Sequence, residues 1–344
     1  MFFAMILLAG CTPGERPVSL AVATAGTGGV FYLLGGGVSE VWSRDLPGLR
    51  PVAEVTGGSV ENLNLLARGE VDVAFSIGTT ALQSYRATGP FAAPGGEVAG
   101  QTGSEVRALL ALYPNVLHLV TLDGTGVGQL SELAGRRVSV GAPGSGTEVA
   151  ARALLDANGV GYNQLQVQRL NFNETANALR DGQVDVGFLS VGPPASALMD
   201  LATARPMRLL SLTDGEVERM RSLDSTHSLH VMDGGLYPGV DEPVATAATP
   251  NVLAVRADMD EELAYNLARS VLDGRDELAG VHPVARLISV EYTLQHSPIP
   301  LHPGTIRLLE ERGYAVPPGL RPPESRVHDG EARLGEAPEA SQGG

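Results

Sequence analysis

The residues best placed to meet a ligand in this chain are glycines and hydroxyls rather than acids or bases. Val138 to Thr147 reads Val-Ser-Val-Gly-Ala-Pro-Gly-Ser-Gly-Thr. The alternating apolar residues predict a strand, Pro143 and the surrounding glycines end it, and residues 148–157 then have the pattern of a helix. Small residues let a ligand approach the backbone, and the unpaired amides opening a helix, at the positive end of its dipole, favour an anion. The arrangement occurs twice. Leu20 to Gly29 reads Leu-Ala-Val-Ala-Thr-Ala-Gly-Thr-Gly-Gly, setting Gly26, Thr27 and Gly28 opposite Gly144, Ser145 and Gly146. Further on, Leu66, Gly69, Val71, Asp72, Val73 and Phe75 recur in the same spacing as Leu179, Gly182, Val184, Asp185, Val186 and Phe188. Two similar α/β lobes, each offering a glycine loop to an anion, account for both repeats.

Catalytic readings fail at single positions. The loop from Gly141 to Thr147 lacks the lysine of a phosphate-binding loop, and Phe31 stands where a dinucleotide loop starting at Gly26 needs its third glycine. A serine nucleophile elbow would need glycine at Glu61 around Ser59, or at Phe188 around Ser190. His227, His230 and Asp233 are close together, but their polar stretch supplies no convincing further metal ligand. The sequence therefore predicts a binding protein with no catalytic residues, cofactor or metal.

Those loops need elements to hold them. With 344 residues, 43% of them hydrophobic, the chain can bury two cores. A net charge of -15 argues against a nucleic-acid or anionic-membrane partner, which would repel it. Every basic residue other than histidine is arginine, so lysine-dependent chemistry is excluded. The first lobe reads as strands over 20–23, 50–55 and 71–75 and helices over 31–42, 60–67 and 79–88, with Ser59 as the cap of the second helix. The run Gly35 to Gly37 inside the first helix implies close packing or close ligand approach. Residues 89–104 read as a surface excursion. Strands over 106–113 and 116–121, separated by Pro114, mark the crossing into the second lobe. That lobe adds strands over 166–170 and 184–189 and a helix over 174–180, with Ser190 and Gly192 at a strand's carboxyl end. An extended segment over 244–255 returns the chain, and helices over 261–272 and 307–312 follow. Residues 18–114 and 245–316 are thus assigned to lobe 1 and 115–244 to lobe 2, and 317–344 is expected to be a disordered tail. Adjacent Arg136 and Arg137 are expected to be solvated.

At the amino terminus, Met1 to Leu8 is apolar and Leu8-Ala9-Gly10-Cys11 ends on the chain's single cysteine, which resembles a bacterial lipoprotein signal. The resemblance implies removal of residues 1–10, diacylglycerol on Cys11, a tether over 11–17, and a protein outside the cytoplasmic membrane held only by its lipid. The run is too short to span a bilayer itself.

Six motifs in order extend the reading: Gly26 to Gly29, Thr56 to Asn62 (Thr-Gly-Gly-Ser-Val-Glu-Asn), Gly69 to Phe75, Ala108 to Pro114, Val138 to Thr147, and Pro298 to Gly304 (Pro-Ile-Pro-Leu-His-Pro-Gly). Together, over about residues 20–312, they resemble the TAXI solute-binding subunits of TRAP transporters. The resemblance implies an α/β type II periplasmic-binding-protein fold, two lobes joined by crossing hinge strands with ligand between them. It also implies a membrane permease partner driven by an ion gradient, and a small anionic solute such as glutamate, glutamine or a dicarboxylate. Carried over by position, Thr27, Gly28, Gly29 and Tyr32 fall in the first ligand loop, and Gly57, Gly58, Ser59 and Asn62 in the second, with Ser76 nearby. Gly144, Ser145, Gly146 and Thr147 face them, with Ser190 and Gly192 as further candidates. A sensory lipoprotein feeding a receptor kinase and the substrate-binding subunit of an ABC transporter stand as alternatives. Closure is expected by rotation at the crossings near 113–116 and 244–255.

Overall fold

The computed structural model describes residues 17–92 and 105–323. Cys11, the expected signal segment and nearly all of the tether, most of the 89–104 excursion, and the tail from residue 324 lie outside the described residues. The described strands are β1 (Val18–Ala23), β2 (Leu49–Glu54), β3 (Val73–Ile77), β4 (Val106–Leu122), β5 (Arg137–Ser139), β6 (Gln166–Gln168), β7 (Val186–Val191), β8 (Met207–Leu209), β9 (Ser228–Met232) and β10 (Val244–Arg256). They form one sheet in the order β2-β1-β3-β10-β4-β7-β5-β6, with β8 added to β4 and β9 to β10. The helices are α1 (Val30–Asp45), α2 (Ser59–Ala67), α3 (Gly78–Tyr85), α4 (Gly146–Ala157), α5 (Phe172–Arg180), α6 (Ser196–Ala204), α7 (Asp214–Leu223), α8 (Glu261–Asp273), α9 (Arg275–Val281), α10 (Val290–His296) and α11 (Pro303–Glu311).

β4 and β10 are long and antiparallel, and they run through both halves of the molecule. Parallel β2, β1 and β3 join the first half through β3, which is antiparallel to β10. Parallel β6, β5 and β7 join the second half through β7, antiparallel to β4. The carboxyl ends of β1 and β3 therefore face those of β5 and β7 across the middle of the long pair. Ligands of open α/β sheets bind at such ends. This is the two-lobed α/β fold of the periplasmic binding proteins.

The two halves repeat one another in detail. Asp72 accepts the amide of Ala21 at 2.7 Å while its own amide donates to Ala21 O at 2.9 Å. Asp185 does the same to Arg137, at 2.8 Å in each direction. Each aspartate thus ties a strand's first residues to the neighbouring strand. The glycine loops, however, are offset from the alignment the sequence suggests. Pairing of Val22 with Val73 in one half matches that of Val138 with Val186 in the other. Continued into the loops, this sets Gly28 opposite Gly144, and Gly29, the N-cap of α1, opposite Ser145, the N-cap of α4. Matching glycine to glycine had placed the loops two residues out.

Other expectations change for local reasons. Pro114 does not end its strand: it faces Pro250 across the β4–β10 pair, beside a shift in register. Neither proline has an N–H, so the ladder loses hydrogen bonds here while both strands continue. Two of the three glycines inside α1 serve packing: a Cβ at Gly35 would lie 2.4 Å from Thr24 Cγ2, and one at Gly37 would lie 3.1 Å from Val281 of α9, whereas one at Gly36 would meet open space. Arg137 is not merely solvated, since its guanidinium bonds Asp185 at 2.6 Å and holds that carboxyl below the usual carboxylate range. β9 and helices α6, α7, α9 and α10 were not anticipated. In β9 the apolar Leu229 and Val231 face solvent, 46% and 53% exposed, so the strand lacks a hydrophobic inner face in its sequence.

One buried titratable group in the second half is fully engaged. Ala195 N–H donates to Tyr237 Oη at 2.9 Å, so that hydroxyl gives its proton to His118 Nε2, also at 2.9 Å. His118 Nδ1 then carries the ring proton and donates it to Val116 O at 2.9 Å. Burial pushes His118 down to about 4 from 6.5, so the ring is neutral.

Candidate ligand-binding site

Four helices open at the cleft, two from each lobe. In lobe 1, α1 and α2 start after Gly29 and Gly58, which carry no side chain with which to cap the first amides. In lobe 2, Ser145 Oγ caps α4 by accepting only the Glu148 amide, at 3.2 Å, and Asn171 caps α5 in a capping box with Glu174. Between these starts lies a cavity of about 50 Å³.

Of the residues singled out from sequence, Gly29, Gly57, Gly58, Ser59, Ser145, Gly146, Thr147, Ser190 and Gly192 are brought together on the cavity wall. Ser59 is not the cap of α2 but its first residue; its Oγ accepts the Ile77 amide at 3.1 Å. Thr147 Oγ1 likewise accepts the Ser190 amide at 3.3 Å. Ser190 Oγ donates to Asn115 Oδ1, and Asn115 Nδ2 donates to Asn251 Oδ1 at 3.0 Å. Gly192 sits against the buried Tyr113, whose ring would lie 2.8 Å from a Cβ there.

The remaining candidates lie off the wall. Asn62 is wholly buried beneath it, donating to Thr24 O at 2.6 Å and Phe75 O at 2.7 Å and accepting from Thr56 Oγ1 at 2.5 Å. Ser76 is buried and donates to Ile77 O at 3.0 Å. Tyr32 is half-buried on α1. Thr27, Gly28 and Gly144 join the lobes to each other. Thr27 Oγ1 accepts from Asn173 at 3.3 Å, Gly28 O from Ser196 Oγ at 3.2 Å, and Gly144 O from the amides of Val60 and Glu61 at 3.0 and 3.1 Å. The start of α2 thus spends two of its amides on the opposite lobe.

Sequence reasoning missed Phe31, Ile77, Asn115, Asn171 and Phe172, all on the wall. The signal for Asn171 was present, because asparagine followed three residues later by Glu174 is an N-cap signature. Asn115 carried no such signal, since its role depends on where β4 crosses the cleft. Among the described wall residues none carries a charge. The described residues also include no cluster of three acidic, histidine or cysteine side chains able to hold a metal, and no helix long and apolar enough to cross a membrane.

A two-lobed fold with a partly open cavity at the strand ends is the arrangement of the solute-binding class. Residues 22–313 match the NMT1-like family, and the chain belongs to that family of substrate-binding proteins. Among solved structures, it is similar to the alkanesulfonate-binding protein SsuA from Xanthomonas axonopodis pv. citri bound to MOPS, at 13% identity over 93% of this chain and 91% of that one, TM-score 0.48. It is also similar to the periplasmic aliphatic sulphonate binding protein SsuA from Escherichia coli, at 13% identity over 94% and 95%, TM-score 0.44. A third is the substrate binding protein of an amino acid ABC transporter, at 11% identity over 77% and 96%, TM-score 0.46. Likeness at this level does not carry a ligand from those proteins to this one.

Proposed function

We propose that this protein captures a small anionic solute between its lobes and presents the closed form to a membrane permease, outside the cytoplasmic membrane and anchored through lipid on Cys11. The supporting observation is the cavity itself: four helix amino termini surround it and no charged side chain lines it. Backbone amides and hydroxyls then supply the positive potential that an anion needs. Opening and closing would use the Pro114–Pro250 crossing, where the ladder is thinnest. The ligand must favour the closed form differentially, because equal affinity for both forms shifts nothing.

The sequence motifs support a TRAP-type permease as the partner, whereas the NMT1-like match fits the substrate-binding subunit of an ABC transporter better. Proteoliposomes containing the permease encoded beside this gene separate the two. Uptake that needs an ion gradient and no ATP supports the first, and uptake that needs ATP supports the second. Binding is tested by thermal shift, since a ligand at 100 times its Kd stabilises the native state by about 2.7 kcal/mol. Failure of every small anion to raise the midpoint, with the lobes unmoved by scattering, would overturn the reading.

A further inference from the structure

The hydroxyls on the cavity wall show which chemical class the site can take. Ser59, Ser145 and Thr147 are at least nine-tenths buried. Each accepts a backbone amide, from Ile77, Glu148 and Ser190 respectively, and within the described structure no acceptor takes its proton. A hydroxyl already accepting from the protein turns its hydrogen outward as a donor. Ser59 comes from lobe 1, and Ser145 and Thr147 from lobe 2, so the donors converge from both sides. Each side-chain amide oxygen on the wall already accepts one bond: Asn115 Oδ1 from Ser190, and Asn171 Oδ1 from the Glu174 amide at 3.0 Å. No wall residue is a carboxylate. The site therefore offers donors to an oxyanion and leaves an ammonium group without counter-charge, facing the positive ends of helix dipoles. Phe31, Ile77, Phe172 and Val191 supply an apolar remainder for a short hydrocarbon part.

Resting on the anion-binding reading above, we propose that the solute is a small oxyanion without an ammonium group. A short-chain carboxylate or the sulfonate of similar size fits; zwitterionic amino acids do not. Ser59 and Thr147 select for acceptor-only head groups by donating from opposite lobes.

The test is calorimetry on the folded protein, unfolded and refolded to strip carried-over ligand. The probes are propionate, methanesulfonate and inorganic phosphate against alanine, glutamine and glutamate, alongside native mass spectrometry of protein taken directly from cells. Binding of propionate or methanesulfonate at least tenfold tighter than alanine and glutamate is expected, the stronger of the two identifying the head group. Thr147→Val should weaken that binding about tenfold or more, and Thr147→Ser should restore most of it, as expected for a charge-assisted hydrogen bond. Tighter binding of glutamate or alanine, or a co-purified amino acid, would overturn the ligand class while leaving the solute-binding reading intact. Phosphate as the tightest ligand would overturn the apolar component. No binding by any probe and no co-purified small molecule would overturn both.

Discussion

Replacing Gly146 by alanine separates closure from folding. Gly146 is the first residue of α4, and its backbone is compatible with any residue. A Cβ there would lie 2.7 Å from Ser59 Oγ and 2.9 Å from two carbons of Ile77, all on the opposite lobe. Contacts that short do not occur, so the lobes would have to part or the Ile77 side chain would have to leave its rotamer. Overpacking of this kind costs about 1–3 kcal/mol. The cost arises only when the lobes meet, whereas within α4 alanine is the better helix former by up to about 1 kcal/mol. Gly146→Ala should therefore keep or slightly raise the stability of lobe 2 and reduce solute affinity about 5- to 150-fold. Calorimetry gives the affinity, and fluorescence transfer between labels on the two lobes gives the closed fraction. Wild-type affinity together with wild-type interlobe distances would refute the closed geometry at this contact.

Other consequences follow from the same contacts. Asn62→Ala removes the buried amide that donates to Thr24 O and Phe75 O, of which Thr24 O still has Thr56 Oγ1 at 3.1 Å, and should cost about 1–3 kcal/mol in chemical denaturation, with little change if Asn62 were exposed to the cleft. His118 titrates near 4 in the fold against 6.5 unfolded, so its contribution is complete above pH 6.5 and lost as pH falls towards 4. Unfolding free energy should drop by about 3 kcal/mol over that window, and His118→Gln should flatten the drop. Asp72→Ala and Asp185→Ala each remove a cross-strand amide acceptor and should cost about 1 kcal/mol or more, the second more because Arg137 also loses its partner. Equal effects at the two positions would show that the arginine adds nothing.

How much of this was legible in the sequence depended on whether a residue's role was local. The duplicated Gly-x-Val-Asp-Val segments were visible because a glycine stop before a buried strand is a local pattern, although the partner of each aspartate lies 51 or 48 residues away. The strand-loop-helix around Gly146 was visible for the same reason. The identity of the helix caps was not: Ser59 has the right residue type, but tertiary packing gives its hydroxyl to Ile77, and the N-cap position falls on Gly58, which has no side chain to cap with. Asn62 was placed in the ligand loop by the family resemblance, yet it turns inward to carbonyls at the ends of β1 and β3. Phe172 and Asn115 reach the cavity only through the meeting of segments far apart in the chain, which no local pattern encodes.

Closure across α2 is made by Gly144 O and the amides of Val60 and Glu61, backbone to backbone. Such a contact is nearly blind to mutation. A change of side chain on the cavity wall can alter which molecule is held without touching the bonds that bring the lobes together, provided the glycine loop keeps its shape. The hinge and clasp can thus be inherited intact while the cargo changes. A scaffold of this kind should diversify by wall substitutions at Phe31, Ile77 and Phe172 long before its mechanics are disturbed.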